Sequence, residues 1–185
     1  MQLQQQLQQI KQQESEKAKT KENPPIRVGE IIPFGKHKWR VLEVKDSEAL
    51  LISDRLMENR EYNKSGGAVI WENCTLRKYL NNEFYNIFTS EEKSKILETW
   101  LINIGGYNTT DKIFLLSVEE ARHYFKNNTD RVLLDNLGNV RQWWLRSPGT
   151  SINFAARVTF DGEVNTYGNR IEYFEGIRPA LWLKL

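Results

Sequence analysis

The chain of 185 residues has one cysteine, Cys74, and two histidines, His37 and His123. A lone cysteine closes no disulfide within the chain and supplies no multi-cysteine zinc site. The histidines lie in unrelated segments, FGKHKW and VEEARHYF, with no second ligand at metal spacing, so neither metal nor cofactor is expected. Excess charge is scarce as well. The 26 Lys and Arg against 24 Asp and Glu leave +2, too little for a protein that binds nucleic acid by neutralising phosphates. No apolar run approaches the ~20 residues that span a bilayer. The opening MQLQQQLQQI lacks the basic start and continuous apolar stretch of a secretory signal. P-loop, G-x-G-x-x-G and G-x-S-x-G strings are all missing. Together these absences predict a cytoplasmic protein with no nucleic-acid or membrane partner and no assignable catalytic residue.

What is present is core material: 39% apolar residues, with six Trp, seven Tyr and eight Phe, enough to exclude wholesale disorder. Residues 1–23 differ in texture. Eight of the first 13 are Gln, and Leu3, Leu7 and Ile10 form a helical stripe that ends at Glu14 and Lys17. The expectation is a helical or flexible Gln-rich arm, closed by Pro24-Pro25, which can serve as an oligomerisation stub. Residues 24–185 are expected to form a single α+β domain.

Within that span, IRVGEIIPF, KWRVLEVKD and EALLISD read as strands, the last two forming a hairpin across Asp46-Ser47. In KWRVLEVKD, Trp39, Val41 and Glu43 fall on one face, and Arg40, Leu42 and Val44 on the other. Residues 54–70 read as a polar loop. Thr75 reads as the N-cap of a helix through LRKYLNNEFYNIF. Thr89 with Glu92, and Ser117 with Glu120, form capping boxes, the second following an apolar strand KIFLLS. QWWLRSPG, INFAARVTF, EVNTY and IRPALWLKL return to strands, with Asp161-Gly162 marking a hairpin. Helices and strands are segregated, which predicts a twisted, mainly antiparallel sheet flanked by short helices.

Two segments concentrate the candidate chemistry. In Trp143–Gly149, adjacent tryptophans on a strand face opposite ways, so one of Trp143 and Trp144 enters the core while the other covers the sheet or meets a ligand. Arg146, and Arg178 in the ending GIRPALWL, are arginines in apolar surroundings that need carbonyls, a carboxylate or an aromatic face. With Trp144 and Trp182 they read as structural anchors. Cys74, just before a helix, is either a packing residue or a thiol activated by the helix N-terminus.

These residues carry a resemblance. The chain resembles a bacterial family of domains of unknown function with a W-L-R-S-P-G segment (Trp144–Gly149) and a terminal G-[VI]-R-P-A-L-W (Gly176–Trp182). The same family pattern includes W-R-V-L (Trp39–Leu42), W-E-x-C-x-L-R-x-[YW]-L (Trp71–Leu80) and T-D-K-[IV]-F-L-L-S (Thr110–Ser117). More distantly it is similar to the C-type-lectin-like fold and its formylglycine-generating-enzyme branch. That similarity implies paired N- and C-terminal strands, with IRPALWLKL as a central strand, and a ligand face built by loops near the C-terminal strands. The copper-binding cysteine pair, the iron-binding histidine triad and the calcium strings E-P-N, Q-P-D and W-N-D are all missing here, so the resemblance brings a scaffold without its chemistries.

Two functional readings follow. In the first, a non-catalytic module binds protein, peptide or glycan through Trp143, Asn153, Asn165, Tyr167, Asn169, Arg170 and Tyr173, an adaptable mix of Tyr and Asn. In the second, an enzyme uses Arg146 and Arg178 as anion holders with Glu72, Asp161 or His37 as acid or base.

Overall fold

The computed structural model describes residues 25–185; the Gln-rich arm expected over residues 1–23 lies outside them. The first sheet joins β1 (Ile31–Phe34), β2 (His37–Lys45), β3 (Glu48–Ser53) and β13 (Ala180–Lys184), in the order β1-β2-β3-β13 and antiparallel throughout. The second joins β4 (Asn59–Glu61), β9 (Trp143–Pro148), β10 (Phe154–Val158), β11 (Val164–Arg170) and β12 (Phe174–Gly176), in the order β11-β10-β9-β12-β4. Only the β9–β12 pair is parallel. Two small hairpins, β5 (Thr99–Leu101) with β6 (Thr109–Asp111) and β7 (Leu133–Leu134) with β8 (Val140–Arg141), stand apart. The helices are short: α1 (Thr75–Tyr79), α2 (Ser90–Lys95), α3 (Val118–Tyr124) and α4 (Asn128–Arg131). The architecture is mixed α+β with mainly antiparallel sheets, and buried side chains from both sheets and the helices merge into one hydrophobic cluster.

Local rules explain much of this. The β2–β3 hairpin turns at Asp46, whose φ of 52° is one that Asp tolerates better than most residues. Both capping boxes form: Thr89 and Glu92 exchange bonds of 3.2 and 2.7 Å, and Ser117 and Glu120 bonds of 3.1 and 2.9 Å. The β10–β11 hairpin closes over Asp161-Gly162, where Gly162 has a φ of 82°.

Tertiary context overrides other expectations. The strict alternation in β2 breaks between Val41 and Glu43, where a bulge sends both Val41 and Leu42 inward. The polar segment 54–70 contains β4, paired with β12 far along the chain. KIFLLS is not a strand. It is held by one bridge, Phe114 to Ala180, and by side chains: Asn81 binds the Lys112 N–H and the Ile113 carbonyl, and Arg146 the Leu115 carbonyl. The N-cap of α1 is Cys74, not Thr75, because the Thr75 hydroxyl already accepts the Lys64 N–H. The helix then runs on through a π turn (Leu80–Phe84) and a 3-10 turn (Tyr85–Ile87). The C-terminal strand β13 pairs with the third strand, β3, and not with the N-terminal β1; it ends the sheet's strand order and is not central, its outer edge met by two isolated bridges, Ile96 to Leu183 and Phe114 to Ala180.

Candidate functional site

The strongest motif segments turn inward. Trp143 and Trp144 are both completely buried, which corrects the expectation that one of them meets the surface. The Trp143 indole N–H donates to the Arg131 carbonyl at 3.0 Å, and that of Trp144 to the Arg60 carbonyl at 2.9 Å. Buried indoles need such partners, and here they lock β9 to the C-terminal end of α4 and to β4. Trp143 is therefore an internal pillar. Trp182 is half-buried on β13, where its carbonyl accepts the Leu97 N–H at 2.9 Å.

Arg146 spends all five N–H groups on protein acceptors. It binds the Glu120 carboxylate through both terminal nitrogens, Asn103 Oδ1 at 3.1 Å, and the carbonyls of Leu115 at 3.0 Å and Ile102 at 3.3 Å. A parallel network joins Trp71, Arg77 and Asp111: the indole donates to Asp111 at 2.8 Å and the guanidinium at 2.7 Å. Cys74 is fully buried, and burial pushes its thiol up to about 12 despite the Arg77 N–H bonded to its sulfur. It packs and caps, and the activated-thiol alternative is lost. Glu72, His37 and Asp161 occupy a 3-10 turn, a hairpin and another hairpin. Among the described residues, none of the three hydrogen-bonds or ion-pairs with Arg146 or Arg178, so the structure does not assemble that acid–base set. No group of three or more His, Cys, Asp or Glu among the described residues could hold a metal ion.

The residues expected to face a ligand divide into two groups. Asn165 and Tyr167 sit where β11 carries extra residues against Ala156. The Asn165 side chain accepts the Gly168 N–H at 2.9 Å. Tyr167, exposed, packs edge-on against Phe154 at 5.5 Å, and its carbonyl accepts the Thr150 N–H. Asn153 holds the neighbouring turn, its carbonyl accepting the Ile171 N–H at 3.1 Å.

Asn169 and Tyr173 instead line an open cleft of about 520 Å³ over β10, β11 and β12. Its rim carries three rings, Phe160 at 56%, Tyr173 at 51% and Phe174 at 64% exposure. Its floor is an ion pair, Arg157 to Glu175 at 2.5 Å, with Asn169 donating to the same carboxylate at 2.7 Å. Arg170 does not line the cleft. It binds Glu172 at 2.5 Å and lies 6.0 Å from the Tyr173 ring, so it braces the cleft wall. That carboxylate is held below its ordinary value by its own backbone N–H and by Arg170. Two cleft-lining residues each keep a buried atom without a partner among the described residues, Arg157 Nε and Glu172 Oε2. The charged lining groups, Arg141, Arg157, Glu172 and Glu175, sum to zero.

Phe160, Phe174, Arg157 and Glu175 were not legible as cleft residues. The one signal for Phe160 was a large apolar side chain in a tight turn. Arg157 and Glu175 lie 18 residues apart and meet only because β12 adds to the far side of β9.

Comparison with family models decides the relationship. A model described as "Domain of unknown function (DUF6273)" matches residues 46–185. The chain belongs to the DUF6273 family. The DUF6273 match covers the cleft and the segments around Arg146 and Arg178, and stops short of Trp39–Leu42, although β2 is hydrogen-bonded into the same sheet as β3. No curated protein and no solved structure matches this DUF6273 chain. No helix among the described residues is long and apolar enough to cross a membrane.

Proposed function

We propose that this chain is a non-catalytic binding module on a C-type-lectin-like scaffold, taking a neutral polar ligand, a glycan or an uncharged peptide segment, in the cleft of Asn169 and Tyr173. The observation that carries the reading is the pairing of three half-exposed rings with one buried orphan donor and one buried orphan acceptor. Buried polar atoms without partners are costly, so a ligand that supplies both a donor and an acceptor is favoured there. Hydroxyls and amides supply both. The zero charge sum argues for a neutral ligand, and the rings offer rigid contact area at low entropic cost. The position of the cleft on the C-terminal strands supports the scaffold.

Glycan and peptide arrays probed with the full chain test this. The expectation is a ligand whose affinity changes little with salt, because no net charge is neutralised. Tyr173→Ala and Phe174→Ala should weaken that ligand about tenfold or more, one ring contact being worth about 1.5 kcal/mol, with an unchanged melting midpoint. Undiminished binding by the double variant, or silence on both arrays, contradicts the reading.

A further inference from the structure

A second cavity, of about 390 Å³, lies between the middle of β2, the residues just after β3 and the α3–α4 corner, and Arg178 forms part of its wall. Arg178 is 2% exposed; it makes no ion pair among the described residues, and the Asp54 carboxylate acts on it only through space. Of the five N–H groups an arginine carries, Nε donates to the Ser53 carbonyl at 3.1 Å and Nη1 to the Arg131 carbonyl at a long 3.5 Å. The rest have no protein acceptor among the described residues. The guanidinium lies between two rings, 5.0 Å from Phe125 and 5.2 Å from Trp143, which makes burial tolerable without neutralising the charge. Beside it, Arg40 Nε is also buried and without a partner.

The other charged lining groups are Arg55, Asp54 and Asp130. Asp54 is shared, at 3.3 Å from Arg40 and 3.6 Å from Arg55. Three arginines less two aspartates leave +1. The remaining wall is apolar, from Ile31, Leu42, Val132 and Leu134. Desolvation, with help from the Arg40 charge, pulls Arg178 down to about 9 against the opposing Asp54 charge; a bound anion would add to the Asp54 effect.

We infer that this cavity binds a small organic carboxylate, its carboxylate on Arg178 and Arg40 and its apolar body against Ile31, Leu42 and Val132. A guanidinium fork matches a carboxylate bidentately. The residual charge of +1 is balanced by a monoanion and over-balanced by a phosphate dianion. The volume lies within the range of small-molecule pockets.

Calorimetric titration of the full chain tests it, with phenylacetate and hexanoate as probes, phenylacetamide as the neutral control and inorganic phosphate as the rival anion. Both carboxylates should bind, phenylacetamide should not, and phosphate should bind at least about tenfold more weakly. Arg40→Gln, at a partly exposed side chain, should weaken phenylacetate about tenfold, the worth of one charge-assisted hydrogen bond, without changing the melting midpoint. No binding by either carboxylate overturns the inference. So does equal binding of the amide, equal binding of phosphate, or an Arg40→Gln variant of unchanged affinity.

Discussion

Arg146 and Arg178 are both buried, at 4% and 2% exposure, and both stand in the segments that made the sequence recognisable. Their surroundings differ. Arg146 has five protein acceptors for five N–H groups, Glu120 among them, whereas Arg178 has two carbonyls, two aromatic faces and a cavity. The first ties β9 to α3, the β5–β6 hairpin and the segment before α3. The second leaves hydrogen-bonding capacity unspent. Burial alone does not separate a structural arginine from a binding one; the use of its donors does.

Substitution by methionine, which keeps length and removes charge, sharpens the contrast. Arg146→Met leaves Glu120 and three further acceptors without their donor, and should cost about 3 kcal/mol in urea unfolding. Arg178→Met breaks no ion pair and replaces a desolvated charge with an apolar side chain, so a loss of about 1 kcal/mol or less is expected. Equal losses would erase the distinction between the two sites.

A smaller effect is expected from Asp135, which closes the β7–β8 hairpin. Its carboxylate accepts the Asn139 and Leu137 N–H groups at 2.9 Å and two bonds from Arg141 at 3.0 and 2.7 Å. The Asn139 N–H foremost, then Arg141, hold it well below the usual carboxylate range. A depressed native value means that its contribution is complete above the unfolded value, near 3.9, and fades as pH falls from there through the native one. Stability measured from pH 5 downward should therefore decline less in Asp135→Asn than in the unaltered chain. Parallel declines would remove Asp135 from the acid-sensitive groups.

These sites also show what a single sequence can convey. Features fixed within a few residues were legible: the turn at Asp46-Ser47, the Thr89–Glu92 and Ser117–Glu120 boxes and the Asp161-Gly162 hairpin each follow from one short-range bond pattern. Features fixed by distant pairing were not. Asn59–Glu61 is polar and becomes a strand only because β12 arrives beside it, while KIFLLS looks like a strand and loses that state because Asn81 and Arg146 take up its backbone groups. The candidate site was half legible for the same reason. Asn169 and Tyr173 lie in a run whose composition betrays exposure. Their partners Arg157 and Glu175, and the pairing of Arg178 with Arg40, depend on strand order.

The most direct measurement is an NMR titration that follows the arginine Nε–H resonances of the full chain as phenylacetate is added. Arg178 and Arg40 should shift together and saturate, while Arg146, with every donor already occupied, stays where it began. An Arg146 that moves with them, or an Arg178 that does not move at all, would contradict the division between a filled and an open arginine on which this account rests.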